Sequence, residues 1–248
     1  MRLPTILLIT NAVTLAVLVL ALHYSRLPQR LWQRVAVEHR VPGLRPVHEL
    51  NRNYRAGREL FRIYPRKSSG VLILGDSHVQ SVCWHELLVR SDVGCRGISG
   101  DSLDGIRMRL ADDRDASPQA VVLMGGTNDL LRGASAKEVA ARYLSLLDHA
   151  RSIWPRAMIV LIAPPAVARW VERSGWINLQ VQQVTSRLQR TLPTNELVRL
   201  VDLGPVMHDL GGNLRPEMTS DGVHLSAAAY SHLGTVLNAL LPPASGKE

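Results

Sequence analysis

Cysteine and aromatic residues are scarce in this chain of 248 residues, and their scarcity limits the kinds of protein it can be. Its two cysteines, Cys83 and Cys95, are too few for a disulfide scaffold and fall in no Cys/His spacing typical of zinc sites. Both lie in apolar stretches, so we expect buried free thiols, with a single disulfide as the alternative. Phenylalanine occurs once, and no aromatic RNA-binding motif is present. We therefore expect no metal, no cofactor and no nucleic-acid partner.

Positive charge is concentrated in the first quarter of the chain. Residues 1–67 contain 12 lysines and arginines against 3 acidic residues, whereas residues 68–248 contain 17 against 18. The formal charge of +8 therefore does not describe a basic face on the later part, which again argues against nucleic-acid binding.

A long uncharged run, Leu3–Leu22, lies at the N-terminus. Twenty predominantly apolar residues without a charge are enough to cross a bilayer as a helix, so we predict one transmembrane anchor over residues 1–24, with membrane lipid as a partner. A cleaved signal peptide is the alternative, because residues 19–21 resemble a cleavage site. Residues 25–67 form an Arg-rich juxtamembrane linker. Its helical spacing fits either an amphipathic segment on lipid headgroups or a helix packed on the following domain.

Short apolar runs alternate with stretches of helical period over residues 68–248, which we assign to one domain. The runs are apolar on both faces, as in parallel strands covered by helices on both sides. This alternation predicts an α/β fold, a three-layer sandwich around a five-stranded parallel sheet. The predicted strands are residues 71–74, 92–98, 120–124, 157–163 and 197–203, and the predicted helices are residues 78–90, 102–112, 135–153, 177–191 and 226–241.

Polar residues able to do chemistry follow the predicted strands. The first strand ends in "GDSH" with Ser77, the second in "GISGD" with Gly100, and the third in "GGTND" with Asn128. The loop before the final helix carries "SDGVH", with Asp221 and His224. Ligands of such sheets bind beyond the carboxyl ends of the strands, so we expect these residues to meet at one edge.

These four blocks, in this order, resemble the SGNH (GDSL-type) hydrolase family of esterases and lipases, over residues 70–240. The resemblance implies a flavodoxin-like fold and a serine nucleophile, Ser77. Chemistry supports this assignment, because a serine hydroxyl needs a neighbouring base. His224 can take its proton, and Asp221, three residues earlier, can orient the imidazole.

The same reaction develops an oxyanion, which needs hydrogen-bond donors already in place. We expect these from the Ser77 N–H, the Gly100 N–H and the Asn128 side-chain amide. Asp202, at the end of the fifth strand, is a rival for the role of triad acid.

Other residues near the blocks have less certain roles. Asp76 is expected to cap the helix and brace the turn, and Asp129 to hold the third loop. The family more often has leucine where this chain has His78, which either lines the pocket mouth or is solvated in a first helical turn. Trp170 and Trp176 either form a lid or pocket wall, or pack ordinarily.

The function expected from these features is a serine carboxylesterase that removes a short, acetyl-like acyl group from a carbohydrate or another small ester. Alternatives are an O-acyltransferase of a membrane-associated polysaccharide pathway, a lysophospholipase or thioesterase acting on lipids, and a non-catalytic scaffold. The resemblance favours a bacterial-type inner-membrane protein with a periplasmic catalytic domain. The arginines that follow the apolar run favour the cytoplasmic side instead.

Overall fold

The computed structural model describes residues 51–64, 70–193 and 195–244, which belong to one compact unit, His48–Glu248. The predicted anchor over residues 1–24 and most of the predicted linker over residues 25–67 lie outside the described residues. Within the described residues, no helix is both long enough and apolar enough to cross a membrane. The membrane-spanning helix therefore stays a prediction.

Five parallel strands form a single sheet in the described part of the chain. They are β1 (Val71–Gly75), β2 (Val93–Gly97), β3 (Ala120–Met124), β4 (Met158–Ile162) and β5 (Val198–Val201). Their spatial order, β2-β1-β3-β4-β5, is the flavodoxin-like order, and each strand lies within one or two residues of its predicted bounds. The order brings the carboxyl ends of β1, β2 and β3 side by side.

The helices fall into long ones that cover the sheet and short ones at its edge. They are α1 (Arg52–Ile63), α2 (Ser77–Gln80), α3 (Trp84–Leu87), α4 (Leu103–Arg109), α5 (Thr127–Leu131), α6 (Ala136–Ile153), α7 (Ser174–Thr191), α8 (Gly204–Met207) and α9 (Ala227–Leu240). Single 3₁₀ turns occupy Leu110–Asp113 and Pro216–Met218.

The predicted helix over residues 78–90 is wrong in one respect, since it is divided into α2 and α3. Side chains satisfy the carbonyl groups where α2 ends. The Ser81 hydroxyl donates to the Ser77 carbonyl (2.7 Å), and the Trp84 indole donates to the Val79 carbonyl (2.8 Å). These side-chain donors supply hydrogen bonds to carbonyl groups of the last turn, so the chain can leave the helix there without losing those hydrogen bonds.

Two apolar clusters, one on each face of the sheet, confirm the three-layer arrangement. On one face Leu72 and Leu74 pack with residues of α4, α6 and α7. On the other face Val71 and Ile73 pack with residues of α2, α3, α8 and α9. Because successive residues of a strand point to opposite faces, strands buried on both sides are apolar throughout.

Two glycines let α2 lie directly on the sheet. A Cβ at Gly97 in β2 would lie 2.3 Å from the Gln80 nitrogen in α2. A Cβ at Gly75 would lie 2.4 Å from Val79 Cγ2 in α2 and 2.2 Å from the Met124 carbonyl oxygen in β3. Backbone atoms cannot move away as a flexible side chain can, so these positions need glycine. The close packing fixes the turn between β1 and α2.

Helix α1 packs on the domain. Residues 52–63 therefore follow the second of the two alternatives for the linker, a helix packed on the following domain. The Tyr54 hydroxyl donates to the Gly105 carbonyl (3.1 Å), and Tyr54 is 5% exposed. Arg58 forms a two-point ion pair with Asp112, both contacts at 2.6 Å. The Phe61 ring lies 5.0 Å from the Arg96 guanidinium carbon.

A chain that begins at residue 68 should be less stable than one that begins at residue 48. It loses α1, and burial of Tyr54 and Phe61 is worth about 2–3 kcal/mol after the cost of ordering the helix. For a domain of this size that corresponds to a fall in Tm of about 5–10 °C. Thermal unfolding of the two chains, followed by circular dichroism, measures the difference. Equal Tm values would show that α1 contributes nothing to the domain.

The two cysteines differ from the prediction in their exposure. Both are free thiols, as expected, but Cys83 is exposed and Cys95 is only half-buried. Cys83 lies in the break between α2 and α3, where the chain turns outward before Trp84 re-enters the core.

Candidate active site

Ser77 lies at a strand-to-helix turn at the carboxyl edge of the sheet. β1 ends at Gly75, Asp76 is the N-cap of α2, and Ser77 is its first residue. The Asp76 carboxylate accepts the His78 backbone N–H at 3.0 Å. This N-cap is the bracing role predicted for Asp76.

Ser77, His224 and Asp221 form a continuous hydrogen-bonded relay. The Ser77 Oγ lies 3.0 Å from His224 Nε2, and His224 Nδ1 lies 2.7 Å from Asp221 Oδ2. The other carboxylate oxygen of Asp221 accepts the backbone N–H groups of Val223 (2.9 Å) and His224 (2.8 Å). The four-residue loop is therefore organised around the carboxylate that orients the imidazole.

The charge of Asp221 determines which ring nitrogen of His224 carries the proton. Burial, the largest single influence, raises the pKa of Asp221, but its hydrogen bonds with the His224 side chain and backbone outweigh burial and lower the pKa to about 2. An ionised carboxylate only accepts, so His224 Nδ1 donates to it and Nε2 is left to accept the Ser77 proton. The arrangement can therefore activate a serine hydroxyl near neutral pH.

Asp202, the rival acid, lies elsewhere. Its carboxylate accepts the Gly204 N–H at 2.9 Å, and its charge acts on His208, where it opposes the lowering of the pKa by burial. The geometry favours Asp221 as the partner of His224.

Two backbone donors beside Ser77 are available to a ligand. Neither the Ser77 N–H nor the Gly100 N–H has a hydrogen-bond partner within the described part of the chain. Gly100 has a φ of +75°, in the left-handed region that favours glycine, and the Arg132 guanidinium holds its carbonyl at 2.6 Å. The side chain of Asn128 lies in the same region and donates to the Asp101 carbonyl (3.1 Å) and to Asp76 Oδ2 (3.3 Å).

Asp129 has a supporting position, in agreement with its expected role. It is 2% exposed, accepts the Leu103 N–H at 3.1 Å, and pairs with Arg142 at 2.7 Å. These contacts connect α5, which carries Asn128, to the start of α4 and to α6.

The expectation for His78 is wrong, because its side chain neither lines the pocket mouth nor is solvated. It is 1% exposed. Its Nδ1 lies 3.1 Å from Asp76 Oδ1, and its Nε2 lies 3.1 Å from the Val223 carbonyl oxygen. Two inward-facing acceptors hold the ring away from solvent.

The two tryptophans differ in their relation to the site. Trp170 is 56% exposed, and its indole nitrogen would lie 2.8 Å from a Cβ at Gly222, between Asp221 and His224. Trp170 therefore borders the loop that carries the relay. Trp176 is half-buried, packs on the core and stacks against Arg173 at 4.5 Å, which fits ordinary packing.

Sequence reasoning missed two supports of the Gly100 loop. Arg109 is 2% exposed and donates to Asp101 Oδ2 (2.9 Å) and to the Gly75 carbonyl (2.8 Å). Burial raises the pKa of Asp101 to about 6 despite that pairing. Asn51, the N-cap of α1, donates to the Ser99 carbonyl at 2.8 Å. The sequence feature that could have indicated Arg109 is Asp101, an acidic residue directly after Gly100 that needs a partner once it is buried. No feature of the sequence indicated Asn51.

One group of three metal-capable side chains occurs within the described residues, away from the relay. Ligand atoms of Cys83, His85 and Glu86 lie within 4.8 Å of one another, and all three residues are exposed. The His85 imidazole and the Glu86 carboxylate lie 3.8 Å apart, with both side chains mostly exposed, so the group has the character of an open surface cluster.

The chain matches a known protein family over most of the domain that carries this site. A family model, the GDSL-like lipase/acylhydrolase family, matches residues 74–232, more than half of the chain. No curated protein gave a significant match.

Similar solved structures share the fold at low sequence identity. A candidate platelet activating factor from Streptococcus pneumoniae is 24% identical with a TM-score of 0.65, covering 76% of this chain and 91% of that one. A candidate acylhydrolase from Bacteroides fragilis is 21% identical with a TM-score of 0.63, covering 79% and 98%. A carbohydrate esterase of family 3 from Talaromyces cellulolyticus is 18% identical with a TM-score of 0.54, covering 69% and 95%. The family match and the shared fold together lead to one conclusion: the chain belongs to the GDSL-like lipase/acylhydrolase family and is an ester-bond hydrolase.

Proposed function

We propose that this hydrolase removes a short, acetyl-like acyl group from a carbohydrate or another small ester through a covalent intermediate on Ser77. The observation that carries the proposal is the relay Ser77–His224–Asp221, with contacts of 3.0 and 2.7 Å, together with the backbone N–H groups of Ser77 and Gly100, which have no partner among the residues that the structure describes. The groups proposed as nucleophile, base, orienting acid and oxyanion donors thus all lie at the carboxyl edge of the sheet.

The first half of the reaction forms the acyl-enzyme. Ser77 Oγ attacks the ester carbonyl carbon while His224 Nε2 takes its proton, and the carbonyl oxygen becomes an oxyanion. The N–H groups of Ser77 and Gly100 donate to that oxygen. The Asn128 amide joins them by exchanging its longer contact, 3.3 Å to Asp76, for the oxyanion. The intermediate then collapses, and His224 returns the proton to the departing alcohol.

The second half releases the acid. A water molecule gives a proton to His224 Nε2 while the water oxygen attacks the acyl carbon. This attack forms a second oxyanion, which the same N–H groups bind. Collapse breaks the Ser77 ester bond, and His224 returns the proton to Ser77 Oγ. The products are one carboxylic acid and one alcohol, and no metal or redox cofactor takes part in these steps.

The preference for a short acyl group rests on likeness as well as on the site. The "GGTND" block resembles members that act on acetyl esters, and the similar structures include the carbohydrate esterase from Talaromyces cellulolyticus and an acetyl esterase crystallised with acetate. The Asp221–His224 loop and the neighbouring Trp170 form the exposed border of the site, where the alcohol part of a carbohydrate ester would lie.

Acyl transfer to a sugar hydroxyl is the second candidate. The side chain of His224 is 39% exposed, so an acceptor larger than water can approach Nε2 from solvent. The proposed setting is the same for both functions: a single-pass inner-membrane anchor formed by the apolar run Leu3–Leu22, with the catalytic domain on the periplasmic side.

A series of 4-nitrophenyl esters from acetyl to dodecanoyl tests the proposal, with Ser77→Ala as the blank. We expect kcat/KM to be highest for acetyl and to fall about tenfold or more by octanoyl, since each added methylene must find room. Released acid and acylated acceptor are then quantified with an acetylated sugar as donor and a second glycan present. Highest activity on the dodecanoyl ester would support a lipid hydrolase instead, and acyl groups found mainly on the glycan would support transfer.

A further inference from the structure

His78, the residue that departs from the usual family motif, is surrounded by hydrogen-bond acceptors. Its Nδ1 faces Asp76 Oδ1 at 3.1 Å, and its Nε2 faces the Val223 carbonyl oxygen at 3.1 Å. A carbonyl oxygen has no proton to donate, so the proton in the second contact belongs to Nε2. The side chain is almost fully buried, which leaves no room for water to supply a different partner.

The contact with Asp76 needs a proton of its own. Two lone pairs facing each other across 3.1 Å would repel, so one proton lies between Nδ1 and the carboxylate oxygen. Asp76 is also an acceptor elsewhere, from the His78 backbone N–H at 3.0 Å and from the Asn128 amide at 3.3 Å. A carboxylate that already accepts from these two donors acts as an acceptor in the third contact as well, so the proton there is assigned to His78 Nδ1.

We propose that His78 is a positioning residue, held as an imidazolium, that ties the nucleophile turn to the loop carrying His224. One N–H binds Asp76, the N-cap that shapes the Ser77 turn, and the other binds the carbonyl of Val223, the residue before His224. The inference rests on the proposed function, because it assigns His78 to the hydrolytic relay.

The position of His78 also affects the base electrostatically. The His78 and His224 rings are 5.6 Å apart between centroids. At that distance the charge of the His78 ring acts directly on the His224 ring, so removing the charge should be felt at the base. The other groups that face His78 are the carboxylates of Asp76 and Asp221, and the hydroxyl of Tyr230 on α9, which donates to the His78 carbonyl at 2.7 Å.

The combined effect of burial and neighbouring charge on the pKa of His78 agrees with the protonated state that its hydrogen bonds indicate. Burial alone is the largest influence and lowers the pKa of His78. The charge of Asp76, the hydrogen bond to it and the hydrogen bond to Val223 together outweigh burial, so the pKa of His78 is raised.

Two substitutions in the full chain separate the two effects of His78. His78→Gln can still donate an amide N–H toward Val223 but carries no charge, whereas His78→Leu, with the commoner family residue, loses both. We expect kcat to fall about 10–100-fold in His78→Leu, with KM nearly unchanged, because a slightly misplaced base costs that much. His78→Gln should recover part of that loss.

The pH profile should move in both variants. The acid limb of kcat/KM reports the protonation of the free base. With the imidazolium gone and Asp76 still ionised, His224 is left in a less positive environment, so the limb shifts upward by about 0.5–2 pH units. Tyr230→Phe is the matched control, because it removes a hydrogen bond to the His78 carbonyl without changing any charge. Its acid limb should stay in place.

Nitrogen-15 NMR of the histidine rings tests the protonation state without any substrate. We expect one ring, absent from the His78→Gln spectrum, with both nitrogens protonated at pH 8. A neutral ring for His78, or unchanged kcat and an unmoved acid limb in both variants, would overturn the proposal. If the wild-type chain hydrolyses no ester, the proposed function fails, while the NMR result still decides the state of His78.

Discussion

Replacing Ser77 by alanine is expected to lower kcat for ester hydrolysis by about 10⁴-fold or more while leaving the fold intact. The only side-chain hydrogen bond of Ser77 within the described residues is the 3.0 Å contact with His224, so its loss leaves no buried polar group without a partner. Without Oγ no acyl-enzyme forms, and only slow attack by water beside the oxyanion donors is left.

His224→Ala should cost a similar factor, and the Ser77→Ala/His224→Ala double variant should be no slower than either single variant. Residues that act as a unit are strongly non-additive. Ser152→Ala is the control: among the described residues, its exposed hydroxyl donates to the His149 carbonyl alone, near the end of α6, so kcat should stay at the wild-type value. Steady-state kinetics with an acetyl ester measures all four variants. Independent, additive losses would contradict a shared relay.

Asp221→Asn should lower kcat by about 10²–10⁴-fold, with Tm close to that of the wild type. Asparagine keeps an oxygen that accepts the backbone N–H groups of Val223 and His224, so the loop is retained. Its amide can donate toward His224 Nδ1, which favours the tautomer that cannot accept the Ser77 proton at Nε2.

The low pKa of Asp221 also determines the pH range in which its ionisation affects stability. The folded-state pKa, about 2, lies below the ordinary value of 3.8, so its stabilising contribution is present above about pH 4 and is lost as the pH falls toward 2. The acid limb of activity at higher pH therefore does not come from Asp221. In Asp221→Asn the dependence of Tm on pH between 4 and 2 should be weaker than in the wild type.

Asp202→Asn is the matched control for the acid, because Asp202 accepts the Gly204 N–H and does not contact His224. Its kcat should stay within about threefold of the wild-type value, as for a surface substitution away from the relay. A larger loss in Asp202→Asn than in Asp221→Asn would show that the wrong carboxylate has been assigned to the relay.

Much of the fold could be predicted because the strands are local in sequence and apolar on both faces. Runs such as residues 71–74 and 120–124 have a single stable environment, the middle of a covered parallel sheet, so their bounds were found closely. The same reasoning brought Ser77, Gly100, Asn128 and His224 together, because parallel strands end at one edge.

The errors come from side-chain contacts that the helical and apolar patterns do not specify. The pattern after Ser77 is helical, but the hydroxyl of Ser81 and the indole of Trp84 end the helix early. His78 was placed near solvent because the acceptor it reaches, the Val223 carbonyl, is 145 residues away. No local pattern specifies such a partner.

The missed supports have the same physical origin. Arg109 lies in a helix where arginine usually faces water, yet its guanidinium is buried on Asp101 and on the Gly75 carbonyl. For the Arg-rich segment before residue 68, composition and spacing left two alternatives open, a helix on lipid headgroups and a helix packed on the domain. The contacts of Tyr54 and Phe61 place the helix over residues 52–63 on the domain. The partners of these side chains lie far away in the chain, so the local pattern could not choose between the alternatives.

The most direct measurement is the site of covalent labelling by a fluorophosphonate. The intact chain is treated with the reagent, its mass is measured, and the modified peptide is sequenced by mass spectrometry. We expect one adduct, on Ser77, that forms slowly in His224→Ala and is absent in Ser77→Ala. An adduct on a different serine, or one that persists in Ser77→Ala, would contradict the assignment of Ser77 as the nucleophile.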